Sequence, residues 1–280
     1  MASIKAAVID LYNNEPNEGI RCIKDILSDT KTGDGISFEY KVFETRYKDE
    51  IPGKDYDIFI SSGGPGDPFD GEGTRWEKLY FNLVDSIWNH NQNNPSRKKY
   101  IFFICHSFQI MSRFFKLGKV SKRDKTSFGL LPFSKTEAGA EDKLLKDLPE
   151  PFYAADIRQY QVTDPDYKVF DNIGAKILSY EIPVVEGKRE KAFTAVRISD
   201  EIIGTQFHPE ADPESMLYHF KQEERKKQVE DLFGQGKYEQ MLKWLNDEDK
   251  VKLTRKTVLP GFLDNAVKEL TSTYTVQRDL

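Results

Sequence analysis

The chain is predicted to fold as an α/β domain: a doubly wound, mostly parallel sheet flanked by helices, with an α-helical C-terminal extension. Three observations predict this. Short apolar runs alternate with longer amphipathic ones through the first two-thirds of the chain. One run, "KYIFFIC" (99–105), is apolar without interruption, as a strand buried on both faces of a parallel sheet must be. After Glu210 the chain becomes heavily charged, with apolar residues at helical spacing. The main domain is assigned to residues 1–215 and the helical extension to residues 216–280.

The elements can be taken in chain order. "IKAAVIDLY" (4–12) reads as a buried strand, and "NEGIRCIKDILSD" (17–29) as a helix with Ile20, Ile23, Ile26 and Leu27 on one face. Cys22 lies inside that helix as a packing thiol. "ISFEYKVFE" (36–44) alternates like a half-exposed strand. "YDIFISSGGPGDP" (56–68) is a strand that runs straight into a glycine-rich loop. "RWEKLYFNLVDSIWNHN" (75–91) and "HSFQIMSRFFKLG" (106–118) carry helical periodicity on either side of the 99–105 strand.

Shorter strands come next in "PFYAADIRQYQV", "AKILSYEIPVV", "KAFTAVRIS" and "EIIGTQFHP". In the extension, Met216, Leu217 and Phe220, then Val229, Leu232 and Phe233, then Leu242, Trp244 and Leu245 mark helices. Trp244, with Met241, Leu242 and Leu245, is either core or an apolar anchor for a partner. "TRKTVLPGFLDNAVKEL" adds a Pro-Gly break and one more short helix.

Charge and cysteine usage narrow the function classes. Forty-one basic and 46 acidic residues leave a formal net charge of −5, with no basic footprint for nucleic acid or anionic lipid. The first residues have no signal-peptide pattern, and no apolar run reaches the ~18 residues of a membrane span. Two cysteines make a disulfide framework an unfavourable reading, so a reducing cytoplasm is expected. His90, His106, His208 and His219 show no metal-ligand spacing with the cysteines, so neither a metal nor a cofactor is expected.

Three pieces carry chemistry. A cysteine on a sharp strand-to-helix turn, as at Cys105, stands above the sheet where the following helix offers amides and the positive end of its dipole. A cysteine at a strand end can equally be buried packing. In "SSGGPGDP", Gly63-Gly64-Pro65-Gly66 exposes backbone amides that can bind an oxyanion, or forms an ordinary turn. In "GTQFHPE", His208 is followed two residues on by Glu210, a spacing that in extended chain puts both side chains on one face. A cysteine nucleophile needs such a base and a third group to orient it.

Taken together, Ser62 to Gly66, Cys105 with Gln109, and Gln206 to Glu210 resemble the triad-type (class I) glutamine amidotransferases in order and spacing. The resemblance covers roughly residues 4 to 220 and implies a flavodoxin-like sheet. It implies that Cys105 attacks the γ-amide of glutamine or a γ-glutamyl compound, forming a γ-glutamyl thioester. His208, oriented by Glu210, would shuttle the proton, and the amides of Gly64 and His106 would hold the oxyanion. Gly66 and Gln109 match positions that hold the glutamyl end of the substrate.

The chain departs from the family pattern in two places. Phe103 and Ser107 stand where the family carries glycine on either side of the cysteine, so the turn must open or the Phe103 ring be redirected. In "ADIRQYQV" (155–162), Arg158 falls at a usual histidine position, with Tyr160 two beyond. Arg158 and Tyr160 either read a carboxylate on the substrate or lie on a strand edge at the surface.

Two ways of completing the reaction stay open: a separate synthase subunit receives the ammonia, or water alone hydrolyses the thioester. A catalytically silent relative serving as a regulatory or scaffolding subunit is the alternative, which Phe103 favours. The expected partner is a small molecule, with no nucleic acid and no membrane.

Overall fold

Each strand of the central sheet reads out two cores, one on each face. The computed structural model describes residues 2–33, 35–182 and 191–278. In chain order the elements are β1 (Ala2–Ile9), α1 (Gly19–Asp29), β2 (Ile36–Phe43), α2 (Thr45–Lys48), β3 (Ile58–Ser61), α3 (Arg75–Asn93), β4 (Tyr100–Ile104), α4 (His106–Phe115) and β5 (Lys119–Lys135). They continue as α5 (Glu137–Glu141), β6 (Phe152–Thr163), α6 (Tyr167–Ile173), β7 (Lys176–Glu181), β8 (Phe193–Arg197), β9 (Ile202–Thr205), α7 (Pro213–Phe220), α8 (Glu223–Phe233), α9 (Gln235–Trp244) and α10 (Val251–Arg278).

The sheet order is β2-β1-β3-β4-β9-β8-β7-β5-β6. From β2 to β9 every pairing is parallel, and from β9 onward every pairing is antiparallel. The sheet is therefore mixed, its parallel half carrying the doubly wound pattern. Side chains alternate across it as strand geometry requires. Ile4, Ala6 and Val8 of β1 face a core shared with α1 and α10, while Ala7 and Ile9 face a second core shared with α3 and α4.

One reading changes, one strand is added and one open alternative closes on the core. Residues 119–135 form one long strand, β5, which was not read from the sequence because its first half is rich in lysine and arginine. Pro260-Gly261 does not break the chain: α10 runs through Pro260. Proline inside a helix costs ~3 kcal/mol, but Val258, Leu259, Phe262 and Leu263 around it are all buried, each worth roughly 1.5–3 kcal/mol. Packing outweighs the lost hydrogen bond. The Trp244 stripe is core: Met241 and Leu245 join the main cluster, and Trp244 meets Tyr153 edge-on at 4.9 Å.

The boundary drawn after residue 215 falls inside α7, and Val229, Met241 and Phe262 of the extension share one core with the sheet. The last three residues of "AKILSYEIPVV", Pro183, Val184 and Val185, lie outside the described residues.

Candidate active site

Parallel pairing of β4 with β9 sets Ile104 beside Thr205 and so brings the two strand ends together. Cys105 comes directly after, its amide donating to the Thr205 carbonyl at 2.8 Å. The turn into α4 forces Cys105 to φ 49°, ψ −99°, a backbone conformation that L side chains avoid and that costs of order 1–3 kcal/mol. The thiol is buried and the α4 amides open next to it.

Phe103 and Ser107 are both accommodated. Strand alternation turns the Phe103 ring into the α3/α4 core, where it is fully buried. The close approach of α4 to the sheet falls instead on Gly204 of β9, paired with Phe103, where an added Cβ would sit 2.9 Å from Phe108 and 3.1 Å from Met111. The Ser107 hydroxyl donates to the Ser61 carbonyl and accepts from the Ile104 amide, both at 2.8 Å, which fastens the turn to β3.

His208 and Glu210 meet through Nδ1 and Oε1 at 2.8 Å. They do so across a turn rather than along an extended strand, since β9 ends at Thr205 and the Ala211 amide donates back to the His208 carbonyl. A single bridge to β6, His208 N to Ala155 O at 2.9 Å, fixes where the turn begins. Burial works against a charged imidazole, but the neighbouring Glu210 carboxylate and the Cys105 sulfur outweigh it and hold the His208 pKa well above the ordinary histidine value. Nε2 of His208 and Oε2 of Glu210 are buried without a formed hydrogen bond.

Gly63 marks the convergence point. A Cβ placed there would meet His208 Cε1 at 3.0 Å, the Tyr12 hydroxyl at 3.1 Å and Cys105 Cβ at 3.7 Å. Gly64 packs against the chain behind it, with its virtual Cβ 2.5 Å from the Leu11 carbonyl, so only glycine fits. Gly64, Gly66, Cys105, His106, Gln109, Arg158, Tyr160, His208 and Glu210 all line one cleft of about 260 Å3. Gln109 Nε2 donates to Tyr160 O and Gln206 Oε1, both at 3.2 Å, tying α4 to β6 and to the end of β9. The buried His106 imidazole is pushed down to about 3, by burial first and then by the Arg46 and Arg113 charges.

Arg158 is not at the surface. Its side chain is 1% exposed, with Nε on both Asp156 oxygens at 3.0 Å and Nη2 on Glu181. Arg123 shares Glu181 at 2.9 Å, and Ser127 donates to Asp156 at 2.6 Å. Nη1 is buried without a partner. Tyr160 is partly exposed and its hydroxyl donates to Asp67 at 2.5 Å, latching β6 to the glycine-rich loop. That bond and burial push its pKa up to about 12.

Sequence reasoning missed Tyr12 and Arg255. Tyr12 lies just after β1, its amide donating to Asp10 at 2.8 Å, and burial with the Glu210 charge drives its pKa well above 10, so it faces the point where Cys105 and His208 converge as a neutral phenol. Nothing in its sequence context marks it. Arg255 of α10 donates through Nη1 to the Glu210 carbonyl, and Nη2 lies 3.9 Å from both Asp25 and Asp212. Arg255→Ala is expected to cost about 1.5–3 kcal/mol, the worth of a hydrogen bond to a charged group, read by urea unfolding. A change under about 0.5 kcal/mol, normal for inert surface positions, would mean that the contact holds nothing in place.

Among the described residues no group of three or more His, Cys, Asp or Glu could hold a metal ion, and no helix is long and apolar enough to cross a membrane. Both cysteines are free.

The family description "Glutamine amidotransferase class-I" matches residues 30–224. Among solved structures, the chain is similar to a glutamine amidotransferase from Thermotoga maritima, with a TM-score of 0.65 and 16% identity over 95% of this chain and 98% of that one. It is similar to a glutamine amido transferase from Methylobacillus flagellatus, with a TM-score of 0.56 and 13% identity over 98% and 95% of the two chains. It also resembles the CTPS glutaminase domain with bound acivicin from Trypanosoma brucei, with a TM-score of 0.50 and 12% identity over 74% and 86%. A comparison with curated proteins returned no match. These identities establish the shared fold, and the family match over most of the chain establishes membership: this protein belongs to the class I glutamine amidotransferases.

Proposed function

We propose that the chain is a cysteine-dependent amidohydrolase acting on the γ-amide of glutamine or a γ-glutamyl compound. The observation that carries this reading is Cys105 at φ 49° beside the hydrogen-bonded His208–Glu210 pair. Backbone strain of that kind persists where the surrounding structure over-determines it, and it clusters at reactive positions. Cys105 Sγ attacks the γ-carbonyl carbon, and the amides of Gly64 and His106 receive the oxyanion. The C–N bond then breaks as His208 Nε2 gives its proton to the departing nitrogen. Water, deprotonated by His208, opens the thioester, releasing glutamate and restoring the thiol.

Gly66 and Gln109 hold the glutamyl end, with Tyr160 and Arg158 also lining the cleft. Phe103, which in the sequence speaks for a silent relative, loses that force because its ring packs away from the turn. A cytoplasmic setting suits the two free thiols. Ammonia transfer to a separate synthase subunit passes through the same thioester and differs only in the fate of the released ammonia.

The test is glutamate release from glutamine and from γ-glutamyl amides, with Cys105→Ala as control. Cys105-dependent release from any of them supports the proposal; none from all of them overturns it.

The pH dependence carries a sign. Because the folded His208 pKa is raised, its proton contributes stability that is fully present below about 6.5, the ordinary histidine value, and is lost as pH rises through the folded pKa. The proton needed by the leaving group persists over the same range. Glu210→Gln removes the main cause of the shift, so the alkaline limb of the kcat profile is expected to move to lower pH. An unmoved limb would assign it to another group.

A further inference from the structure

The cleft does not end at the triad. It is also walled by α7 and α8, which contribute Met216, His219 and Arg225, and by Thr126 and Gln159 from β5 and β6. Ammonia has no need of such an arm. The whole cleft measures about 260 Å3, near the ~300 Å3 lower bound of small-molecule pockets.

The arm also has a polarity. The Arg225 guanidinium lies 5.3 Å over the Phe128 ring and donates to Gln228 Oε1 at 3.2 Å. Among the described residues it makes no ion pair. Glu15 and Glu18 line the same cleft, Glu18 paired at 2.6 Å with Arg21, which also binds Asp25 and Asp212. His219 stays uncharged, pushed down to about 4 by burial and by the charges of His208 and Arg225. A cation without an ion-pair partner therefore stands on the cleft wall, and the neutral His219 imidazole feels both it and His208.

The chemistry fixes which part of a substrate meets this wall. His208 must deliver its proton to the departing nitrogen, so whatever that nitrogen carries lies on the His208 side. Resting on the acyl-transfer reading above, we propose that the arm formed by Met216, His219 and Arg225 is a subsite for the leaving group, and that this group is a carboxylate-bearing amine. The substrate class is then an amino acid or short peptide joined through its nitrogen to the γ-carboxyl of glutamate, with its carboxylate paired to Arg225. Attack by Cys105 forms the C–S bond and breaks the isopeptide C–N bond. The proton from His208 leaves with the amine, and water hydrolyses the thioester to glutamate.

The experiment compares kcat/KM of the full chain on glutamine, γ-glutamyl methylamide and γ-glutamylglycine, with Cys105→Ala as blank. The last two differ in the carboxylate of the leaving group. Wild type is expected to prefer γ-glutamylglycine over the methylamide by about tenfold, the worth of one charge-assisted hydrogen bond. Arg225→Gln is expected to erase that ratio and Arg225→Lys to keep part of it.

Equal kcat/KM on the two conjugates in wild type, or a ratio unchanged in Arg225→Gln, overturns the subsite. Cys105-dependent release from glutamine alone overturns the subsite while leaving the acyl-transfer reading intact. No Cys105-dependent release from any of the three removes both.

Discussion

Cys105→Ala is expected to lower glutamate release by more than about 10⁴-fold, the scale on which removing a covalent nucleophile acts. Cys105→Gly should be equally inactive and, relative to Cys105→Ala, more stable. Both variants lack the thiol, so the comparison isolates the backbone. At φ 49°, ψ −99° an alanine Cβ is strained, while glycine adopts positive φ freely. The expected gain is about 1 kcal/mol, the middle of the ~1–3 kcal/mol cost of a strained backbone less the middle of glycine's ~0.5–1 kcal/mol entropic penalty, read as a higher thermal midpoint. If the glycine variant melts below the alanine variant, the elbow is not strained. Cys105 is then held by packing alone.

Arg158→Ala is expected to cost about 3–5 kcal/mol, the penalty for breaking a buried ion pair from one side. The reason is the company the guanidinium keeps. Asp156 is bound through Nε and Glu181 through Nη2, on strands β6 and β7. Removing the cation leaves Asp156 with the Ser127 hydroxyl and Glu181 with Arg123. Urea unfolding reads the loss. A cost under about 1 kcal/mol, the range of surface salt bridges, would mean that water reaches the cluster. KM comparisons at this position should use Arg158→Lys, which keeps a charge between the two carboxylates, so that a change in substrate recognition is not mistaken for unfolding.

What could be read from the sequence depended on how local the signal was. The uninterrupted apolar run before Cys105, the glycines after Ser62 and the Gln206–Glu210 segment each declare themselves within a few residues, and β4 beside β9 brings the last of these to Cys105. The Arg158 cluster could not be read that way. Its members come from three strands, and only the register of β5 on β6 and β7 says which charges meet. Residues 119–135 hid because the strand's charged first half lacks the apolar alternation that marks a half-buried strand. Pro260 misled for the opposite reason: local propensity was correct, and tertiary burial of Leu259 and Phe262 overrode it. Arg255 lies in a different core-packed helix from anything near Glu210, so its contact is visible only in three dimensions.

That last contact bears on when the cleft can be completed. Cys105, His208 and Glu210 all leave the ribosome before α10 does, yet the Glu210 carbonyl is held by Arg255 of that helix. The ring of Phe262, also on α10, packs 5.2 Å from Phe102 on the strand that leads into Cys105. Domains generally fold as units while synthesis proceeds at ~5–20 residues per second. A nascent chain that already holds Cys105, His208 and Glu210 therefore lacks both contacts until α10 arrives. The surroundings of Cys105 are thus completed by a helix that follows Glu210 by some forty residues.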